Sequence, residues 1–318
     1  MSLRCNWHCP SDSHLNRLHL DTPRTRHGSC RVTRLVVMVT SPCDSGTIEQ
    51  RVGIVIPVFN TGGLVLKAAR SAYVALGSRG SIIVVDDGST NSATRTALDE
   101  LRREGFTVHR QPNGGVSAAR NSGIALLSTP YVIALDSDDE VLPWAPRRMA
   151  DVMDTDDTVA IVTGAAYEEC GGVETLQPAP EETVTRESMR DYSLLATASL
   201  FRRSAWEMAR GFPEGLSMGE DWVFWMRILR LGGVVKILDE PTVRRHLGDH
   251  QVTAGRIDVR QSTRAKALVR SENSDLYTGE EVSLIEQLNA AETQLAYYRH
   301  SYRHVDRAKR TFKRWIRR

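Results

Sequence analysis

From residue 52 onward the chain alternates short apolar runs with longer stretches of helical spacing, and this alternation constrains the fold more than any other feature. The runs with strand character are 52–57, 81–86, 106–110 and 131–135. The stretches with helical character are 64–76, 92–104 and the residues after Gly115. Strands separated by helices of this length form a parallel sheet that is covered on both faces. The sequence therefore predicts an α/β, doubly wound, mostly parallel sheet with helices on both faces.

With 318 residues, the chain is long enough for one large α/β domain with a full core and appended segments. Residues 1–50 lack periodicity and mix Arg, His, Ser, Thr and Pro, so we expect a disordered leader there. Met38 stands shortly before the first strand, and translation that begins near it would leave the upstream stretch without a function. We place the core domain at 51–255 and a helical tail at 256–318.

Charge and cysteine content exclude several classes of protein. The formal net charge of +2 does not indicate binding to nucleic acid. The five cysteines show no repeated paired spacing, so we expect neither a disulfide framework nor a zinc site at Cys5 and Cys9. The longest apolar run near the start, 35–39, is far shorter than a signal-peptide core or a membrane span. We therefore expect a cytoplasmic protein.

The second half of the core domain is less regular than the first. Residues 171–197 are predicted as an irregular connection that contains Gly, Pro and Glu. A short strand at 199–201, a short helix at 204–209, a helix at 219–231 and a strand at 234–237 are predicted to follow.

A heptad pattern marks the end of the chain and predicts a long helix with one seam. The seam positions alternate in steps of four and three and are Leu284, Leu288, Ala291, Leu295, Tyr298, Tyr302, Val305, Lys309, Phe312 and Ile316. The last twenty residues are strongly basic, and Phe312, Trp315 and Ile316 stand among the cations. We favour self-association or partner docking through this seam. A surface helix against the core domain and peripheral contact with an anionic membrane are the alternatives.

Acidic residues follow two of the predicted strands. Asp86 and Asp87 come directly after one apolar run, and Asp136 and Asp138 end another. Ligands of such sheets bind beyond the carboxyl ends of the strands, so both pairs are candidates for a binding site. Carboxylate oxygens suit Mg²⁺ or Mn²⁺, which can offset the charge of a diphosphate. The alternatives are a helix cap for the first pair and a solvated acidic turn for the second.

Two helix starts are also candidates. Gly114 and Gly115 allow close approach of the backbone to a ligand, and the helix after them directs free N–H groups outward, with Arg120 one turn in. This arrangement suits a diphosphate, although an ordinary loop is the alternative. Glu220 and Asp221 begin a later helix, whose positive end favours ionised carboxylates. A capping pair with the neighbouring tryptophans in the core is the alternative there.

Four segments occur in a fixed order at 84–89, 114–121, 135–139 and 219–222. They read Val-Val-Asp-Asp-Gly-Ser, Gly-Gly-Val-Ser-Ala-Ala-Arg-Asn, Leu-Asp-Ser-Asp-Asp and Gly-Glu-Asp-Trp. In order and spacing they resemble the family 2 glycosyltransferases of GT-A fold, over residues 51–255. The resemblance implies an inverting enzyme that moves a sugar from a nucleoside diphosphate sugar to an acceptor hydroxyl with help from Mg²⁺ or Mn²⁺.

The resemblance also implies roles for the nucleotide-binding residues. Asp87 is the preferred contact with the nucleotide, together with Asp86, and Pro57 and Asn60 belong to the neighbouring wall.

Further roles follow from the same resemblance for the diphosphate and the metal. Gly114, Gly115 and Arg120 are expected to hold the diphosphate, and Asp136 to lie toward the ribose or sugar. Asp138 is expected to bind the metal, and His246 to complete the metal site. Asp139 is interpreted as a residue without a catalytic role.

The last group of roles concerns transfer itself. The resemblance implies that Asp221 is the general base that takes the proton of the acceptor hydroxyl. Glu220 is expected to orient acceptor or sugar hydroxyls, and Trp222 to contact the acceptor. Residues 171–197 are expected to form an acceptor-binding insertion.

The predicted function is glycosyl transfer to a glycan or lipid-linked acceptor in polysaccharide, glycolipid or cell-envelope glycan assembly. One alternative is a nucleotidyltransferase that makes the sugar nucleotide, which would need a Gly-rich basic loop after the first strand. Residues 57–63 lack Lys and Arg, and this argues against that alternative. Another is a non-catalytic scaffold that acts through its coiled coil. The donor and acceptor are not readable from these motifs.

Overall fold

The computed structural model of the chain describes residues 47–181, 183–216, 218–247, 259–279, 281, 287 and 291. Nearly all of the predicted leader and most of the heptad seam lie outside these residues. Phe312, Trp315 and Ile316 also lie outside them.

The strands and helices alternate through the first half of the described chain, as predicted. The strands are β1 (Val52–Val58), β2 (Ile82–Asp86), β3 (Thr107–Arg110), β4 (Tyr131–Ala134), β5 (Glu140–Val141), β6 (Val159–Cys170), β7 (Val173–Gln177), β8 (Leu200–Arg202) and β9 (Val234–His246). The helices are α1 (Ile48–Arg51), α2 (Leu64–Leu76), α3 (Ser92–Arg103), α4 (Val116–Ala125), α5 (Ala145–Thr155), α6 (Arg203–Met208), α7 (Glu220–Arg230) and α8 (Val259–Glu272). A 3-10 turn at Ser274–Leu276 follows α8.

Within the described residues, nine strands form one sheet in the order β3-β2-β1-β4-β8-β6-β9-β5, with β7 paired to β6. The adjacent strands β3, β2, β1 and β4 run parallel to one another. The short strand β8 runs antiparallel to both β4 and β6, whereas β6 and β9 are again parallel. The predicted α/β architecture is confirmed, and β8 joins two parallel groups of strands.

The sheet buries an apolar cluster on each face. Successive residues of β1 supply both clusters, because neighbouring side chains of a strand point to opposite faces. Ile54 and Ile56 pack in the cluster that contains residues of α2, α3 and α5, and Val55 packs in the cluster with α4 and α7. Helices therefore cover both faces, as predicted.

A protruding hairpin was not expected in the connection predicted at 171–197. Strands β6 and β7 pair antiparallel around Gly171 and Gly172, whose φ angles are 59° and 83°. Glycine pairs tolerate these angles and mark two-residue hairpins. The whole of β7 is exposed, so it carries no buried face and shows no apolar alternation. The glycine pair is the signal that could have revealed the hairpin.

Helix α8 belongs to the packed structure, although it falls at the start of the predicted tail. Ala265 and Val269 are buried in the same apolar cluster as α7. Arg227 of α7 also forms an ion pair of 2.7 Å with Glu272 of α8. No helix among the described residues has the length and apolar composition that crossing a bilayer requires.

Tight packing of α4 on the sheet generates a stability prediction. A Cβ atom at Gly123 would lie 2.5 Å from Cγ1 of Val55 and 2.9 Å from Cγ2 of Val85. Alanine is normally about 1 kcal/mol more favourable than glycine inside a helix. Here it would push α4 away from β1 and β2, so we expect Gly123→Ala to lower the free energy of unfolding by about 1–3 kcal/mol. Urea unfolding measures this change.

Ser122→Ala on the same helix is the matched control, since Ser122 is partly exposed. We expect that substitution to change the free energy of unfolding by no more than about 0.5 kcal/mol. A Gly123→Ala protein as stable as the wild type would contradict the close packing of α4.

Candidate active site

The four segments singled out in the sequence meet at one edge of the sheet. Asp87, after β2, bonds to the start of α4. Arg120 of α4 bonds to Asp136, after β4, and to Glu220 at the start of α7. The carboxyl ends of the parallel strands β2, β1 and β4 lie side by side, and this brings the segments together. Hydrogen bonds and ion pairs therefore connect residues of all four segments.

Asp86 is completely buried, and its carboxylate is used inside the protein. Its Oδ1 accepts a hydrogen bond of 2.8 Å from the Ser89 N–H, and its Oδ2 is paired with the Arg110 guanidinium. Its contact with a nucleotide stays a prediction. Arg110, at the end of β3, is a partner that the sequence analysis missed.

The carboxylate of Asp87 holds the glycine loop before α4. Its Oδ1 accepts hydrogen bonds from Gln111 Nε2 at 2.8 Å and from the Gly114 N–H at 2.9 Å. Its Oδ2 accepts from the Gly115 N–H at 2.8 Å. Both carboxylate oxygens and both glycine N–H groups therefore have protein partners. The contacts of Asp87, Gly114 and Gly115 with a nucleotide diphosphate stay predictions.

The two residues predicted for the nucleotide wall differ in accessibility. Pro57 is buried in β1, where it pairs with Val85. Asn60 is exposed and has a φ of 56°. Its Oδ1 accepts from the N–H groups of Thr90 and Asn91 at 2.9 and 2.8 Å. Asn60 thus connects the loop after β1 with the start of α3, whereas Pro57 is buried in the sheet.

Arg120 is the buried link between two acidic segments. Its side chain is 2 % exposed. Its Nη1 donates to Glu220 Oε1 and its Nη2 donates to Asp136 Oδ1, both at 2.7 Å. The guanidinium carbon lies 5.2 Å from the centre of the Phe212 ring. Arg120 is therefore paired with two carboxylates in this structure, and its contact with a diphosphate stays a prediction.

The two carboxylates keep Arg120 charged. Burial alone would lower the pKa of the Arg120 guanidinium, because it disfavours the charged form. The charges of Asp136 and Glu220, and their hydrogen bonds to the guanidinium, outweigh burial and raise that pKa above its ordinary value.

Asp221 lies next to this network in the first turn of α7. Its Oδ1 accepts from the Trp222 backbone N–H at 2.8 Å, and its Oδ2 accepts from the Thr197 hydroxyl at 3.0 Å. Burial and the charge of Glu220 raise the pKa of the Asp221 carboxyl to about 6, while Arg120 and the two hydrogen bonds act in the opposite direction. Thr197 is a further residue that the sequence analysis missed.

Glu220 and Trp222, on either side of Asp221, are both buried. Glu220 pairs with Arg120, so it is not presented to acceptor or sugar hydroxyls in this arrangement. The indole N–H of Trp222 donates to the Met189 carbonyl at 2.7 Å, and the ring belongs to the apolar core. The structure therefore supports the alternative of a core tryptophan over the predicted contact with an acceptor.

Three aspartates crowd the turn after β4. Asp136 and Asp138 are partly exposed, and Asp139 is 7 % exposed. The His246 N–H lies 3.3 Å from Asp139 Oδ1. Burial, followed by the charges of Asp136 and Asp138, raises the pKa of the Asp139 carboxyl to about 8. Asp139 thus belongs to the acidic site, although it was not assigned a role from the sequence.

This concentration of carboxylates fits a divalent cation. Burial and the like charges of Asp136 and Asp138 both raise the pKa of the Asp139 carboxyl, so negative charge is concentrated in this turn. Among the described residues no three or more His, Cys, Asp and Glu side chains form a group that could hold a metal. Mg²⁺ needs only one or two carboxylates when phosphate oxygens complete its shell. Asp138 and Asp136 are therefore suitable donors.

His246 links neighbouring strands through its ring. Nε2 lies 2.6 Å from Glu140 Oε1 in β5, and Nδ1 lies 2.8 Å from Glu169 Oε2 in β6. Both ring nitrogens thus face carboxylates of neighbouring strands. The role of His246 as a metal ligand stays a prediction.

Asn121 holds the segment that leads to α7, and the sequence analysis did not assign it this role. Its Nδ2 donates to the Phe212 carbonyl at 3.0 Å, and its Oδ1 accepts from the Phe212 N–H at 2.8 Å. Oδ1 also accepts from Trp206 Nε1 at 3.1 Å. A Cβ at Gly211 would lie 2.7 Å from this oxygen, so the glycine allows the close approach.

Comparisons with known proteins concern the family and the fold. Residues 53–206 match the family model described as glycosyl transferase family 2. The succinoglycan biosynthesis protein ExoU of Rhizobium meliloti (strain 1021) is 28% identical over 205 residues, which cover 58% of each chain. The uncharacterized glycosyltransferase EpsJ of Bacillus subtilis (strain 168) is 28% identical over 203 residues, which cover 59% of each chain. The match therefore spans somewhat more than half the length of these relatives.

A solved structure shares the fold. The crystal structure of S. aureus TarS 1-349 in complex with UDP-GlcNAc aligns with a TM-score of 0.57 and 19% identity, over 69% of this chain and 66% of that chain. Over residues 53–206 the chain is similar to glycosyltransferase family 2, and it has the GT-A fold.

Proposed function

We propose that the protein is an inverting glycosyltransferase that moves a sugar from a nucleoside diphosphate sugar to an acceptor hydroxyl. The observation that carries this proposal is the Asp221 carboxylate, which has a pKa of about 6 and lies beside a charge network that reaches the acidic turn after β4. A general base works best when its pKa is near the working pH. Asp221 fits this requirement better than Glu220, which is paired with Arg120.

In the proposed reaction the acceptor oxygen attacks the anomeric carbon of the sugar. Its proton passes to the Asp221 carboxylate, and the bond between the anomeric carbon and the phosphate oxygen breaks. The electron pair of that bond leaves with the nucleoside diphosphate. Thr197 and the Trp222 N–H each hold one carboxylate oxygen of Asp221, so the group is oriented before the acceptor arrives.

Asp138 and Asp136 would hold Mg²⁺ or Mn²⁺. When bound, the cation supplies compensation for the negative charge of the departing diphosphate. Arg120 contributes indirectly, because its pairing with Asp136 fixes one of the two donor carboxylates.

The comparisons support the substrate class at a coarse level. One relative is named for succinoglycan biosynthesis, and the similar TarS structure contains UDP-GlcNAc. We therefore propose a nucleotide-sugar donor, a glycan or lipid-linked acceptor, and a role in polysaccharide or cell-envelope glycan assembly. Self-association or membrane contact through the heptad segment is a separate proposal, which concerns residues that lie largely outside the described part of the chain.

Two other functions are less well supported. A nucleotidyltransferase would need cations in the loop after β1, and 59–63 contains neither Lys nor Arg. A non-catalytic scaffold would not need a carboxylate whose pKa is raised to about 6. Hydrolysis of a sugar nucleotide by the purified protein separates the scaffold from the enzyme.

Transfer should depend on pH through Asp221. The base must be ionised, so activity should be full well above pH 6 and should fall about tenfold for each pH unit below the pKa. Asp221→Asn removes the base and should lower kcat at least about 100-fold while donor binding persists. Initial rates from pH 4.5 to 8.5, with calorimetric titration of the donor, measure both effects.

Glu207→Gln provides the matched control, because Glu207 is an exposed carboxylate in α6, away from the network. It should leave the pH profile and kcat unchanged. An Asp221→Asn protein that transfers sugar at the wild-type rate would contradict the role of Asp221.

Donor binding should depend on the metal through Asp138. A ligand that binds only the folded protein raises its Tm, so a panel of nucleotide sugars with and without Mn²⁺ identifies the donor. We expect a shift in the wild type that requires Mn²⁺, and we expect Asp138→Ala to abolish it. Asp99→Ala, on the exposed surface of α3, is the control that should keep the shift. An unchanged Mn²⁺-dependent shift in Asp138→Ala would refute the metal assignment.

A further inference from the structure

The loop at 185–199 contacts the first turn of α7 at two successive residues. The Thr197 hydroxyl lies 3.0 Å from Asp221 Oδ2, and the Met189 carbonyl accepts the Trp222 indole N–H at 2.7 Å. Because an ionised carboxylate can only accept hydrogen bonds, the Thr197 hydroxyl must be the donor. The loop therefore supplies the one side-chain hydrogen bond to Asp221 that occurs among the described residues.

The position of Thr197 is fixed independently of Asp221. The Ser199 N–H donates to the Ala196 carbonyl at 3.1 Å and closes a turn that contains Thr197. The Ser199 hydroxyl lies 2.9 Å from Thr163 Oγ1 in β6 and 2.7 Å from the Ala196 carbonyl. Leu195 is buried on the other side of the turn. The sheet thus holds the Thr197 hydroxyl in place before Asp221 meets it.

The groups that face Asp221 have opposite effects on the ionisation of its carboxyl group. Glu220, on the same helix, disfavours the ionised form by like charge. Arg120 of α4 favours it, but both of its terminal nitrogens are bonded to Glu220 and Asp136. The Trp222 N–H and the Thr197 hydroxyl each stabilise one oxygen of the carboxylate. Thr197 is the one of these groups that can be changed without disturbing the helix backbone or the buried ion pairs.

We infer that Thr197 is a positioning residue, which holds Asp221 Oδ2 so that the carboxylate is fixed and ionised when the acceptor hydroxyl approaches. This inference rests on the proposed function for the role of Asp221 as a base. The contact itself is a property of the folded protein and can be tested without turnover.

The test compares Thr197→Val with Thr197→Ser. Valine keeps the branched shape and removes the hydroxyl, whereas serine keeps the hydroxyl. A hydrogen bond to a charged group favours that form, so its loss in Thr197→Val should raise the pKa of Asp221 by about one unit. The acid limb of the pH–rate profile should move upward by the same amount, and Thr197→Ser should stay close to the wild type.

NMR of protein labelled with ¹³C at the aspartate carboxyl groups measures the titration directly. The Asp221 resonance is assigned by its absence in Asp221→Asn. Thr175→Val is the matched control, since it makes the same change at an exposed residue of β7 whose hydroxyl donates to the Glu168 carbonyl. Thr197→Ala replaces the valine variant if the latter does not fold.

A pKa increase that is specific to loss of the Thr197 hydroxyl supports the inference. An unchanged Asp221 titration in Thr197→Val, or an equal shift in Thr175→Val, would overturn it. If the wild-type protein neither transfers nor hydrolyses any sugar nucleotide, the proposed function fails, but the NMR titration still decides whether Thr197 holds Asp221.

Discussion

The candidate site depends on the buried Arg120 side chain, which joins two acidic segments that lie far apart in the sequence. Arg120 is 2 % exposed and bonds to Asp136 and Glu220 at 2.7 Å. A buried charge is tolerated only when it is paired, and removal of one partner of a buried pair typically costs about 3–5 kcal/mol. The pairing therefore fixes α4, the turn after β4 and the start of α7 relative to one another.

The chemistry proposed for Asp221 follows from this constraint. Glu220 is paired with Arg120, and we therefore assign the role of base to the adjacent Asp221. Burial and the charge of Glu220 raise its pKa to about 6, and the hydrogen bonds from Thr197 and the Trp222 N–H limit the increase. At the other end of Arg120, Asp136 is held beside Asp138, where a cation would bind. One guanidinium thus connects the proposed base with the proposed metal site.

Periodicity and motif order predicted the architecture and the edge of the sheet at which the motif residues meet. The hydrogen-bond and ion-pair partners of individual side chains could not be predicted in the same way. Strands β1 to β4 and helices α2 to α4 follow from apolar spacing, and parallel strands bring the motif residues to one edge. The sequence could not show that Arg120 would be enclosed by residues 16 and 100 positions away. It could not show that Asp87 bonds to Gly114, or that Trp222 faces the core. These partners depend on how helices approach one another in three dimensions.

The most direct measurement of the central claim is a double-mutant cycle between Arg120→Met and Glu220→Gln, with the free energy of unfolding as the readout. We expect the two substitutions to be non-additive by at least about 1 kcal/mol, because they remove the same buried interaction. The exposed pair Arg148 and Glu240, whose charged atoms are 3.9 Å apart, is the control and should give a coupling energy close to zero. Additivity within about 0.5 kcal/mol for Arg120 and Glu220 would contradict the account.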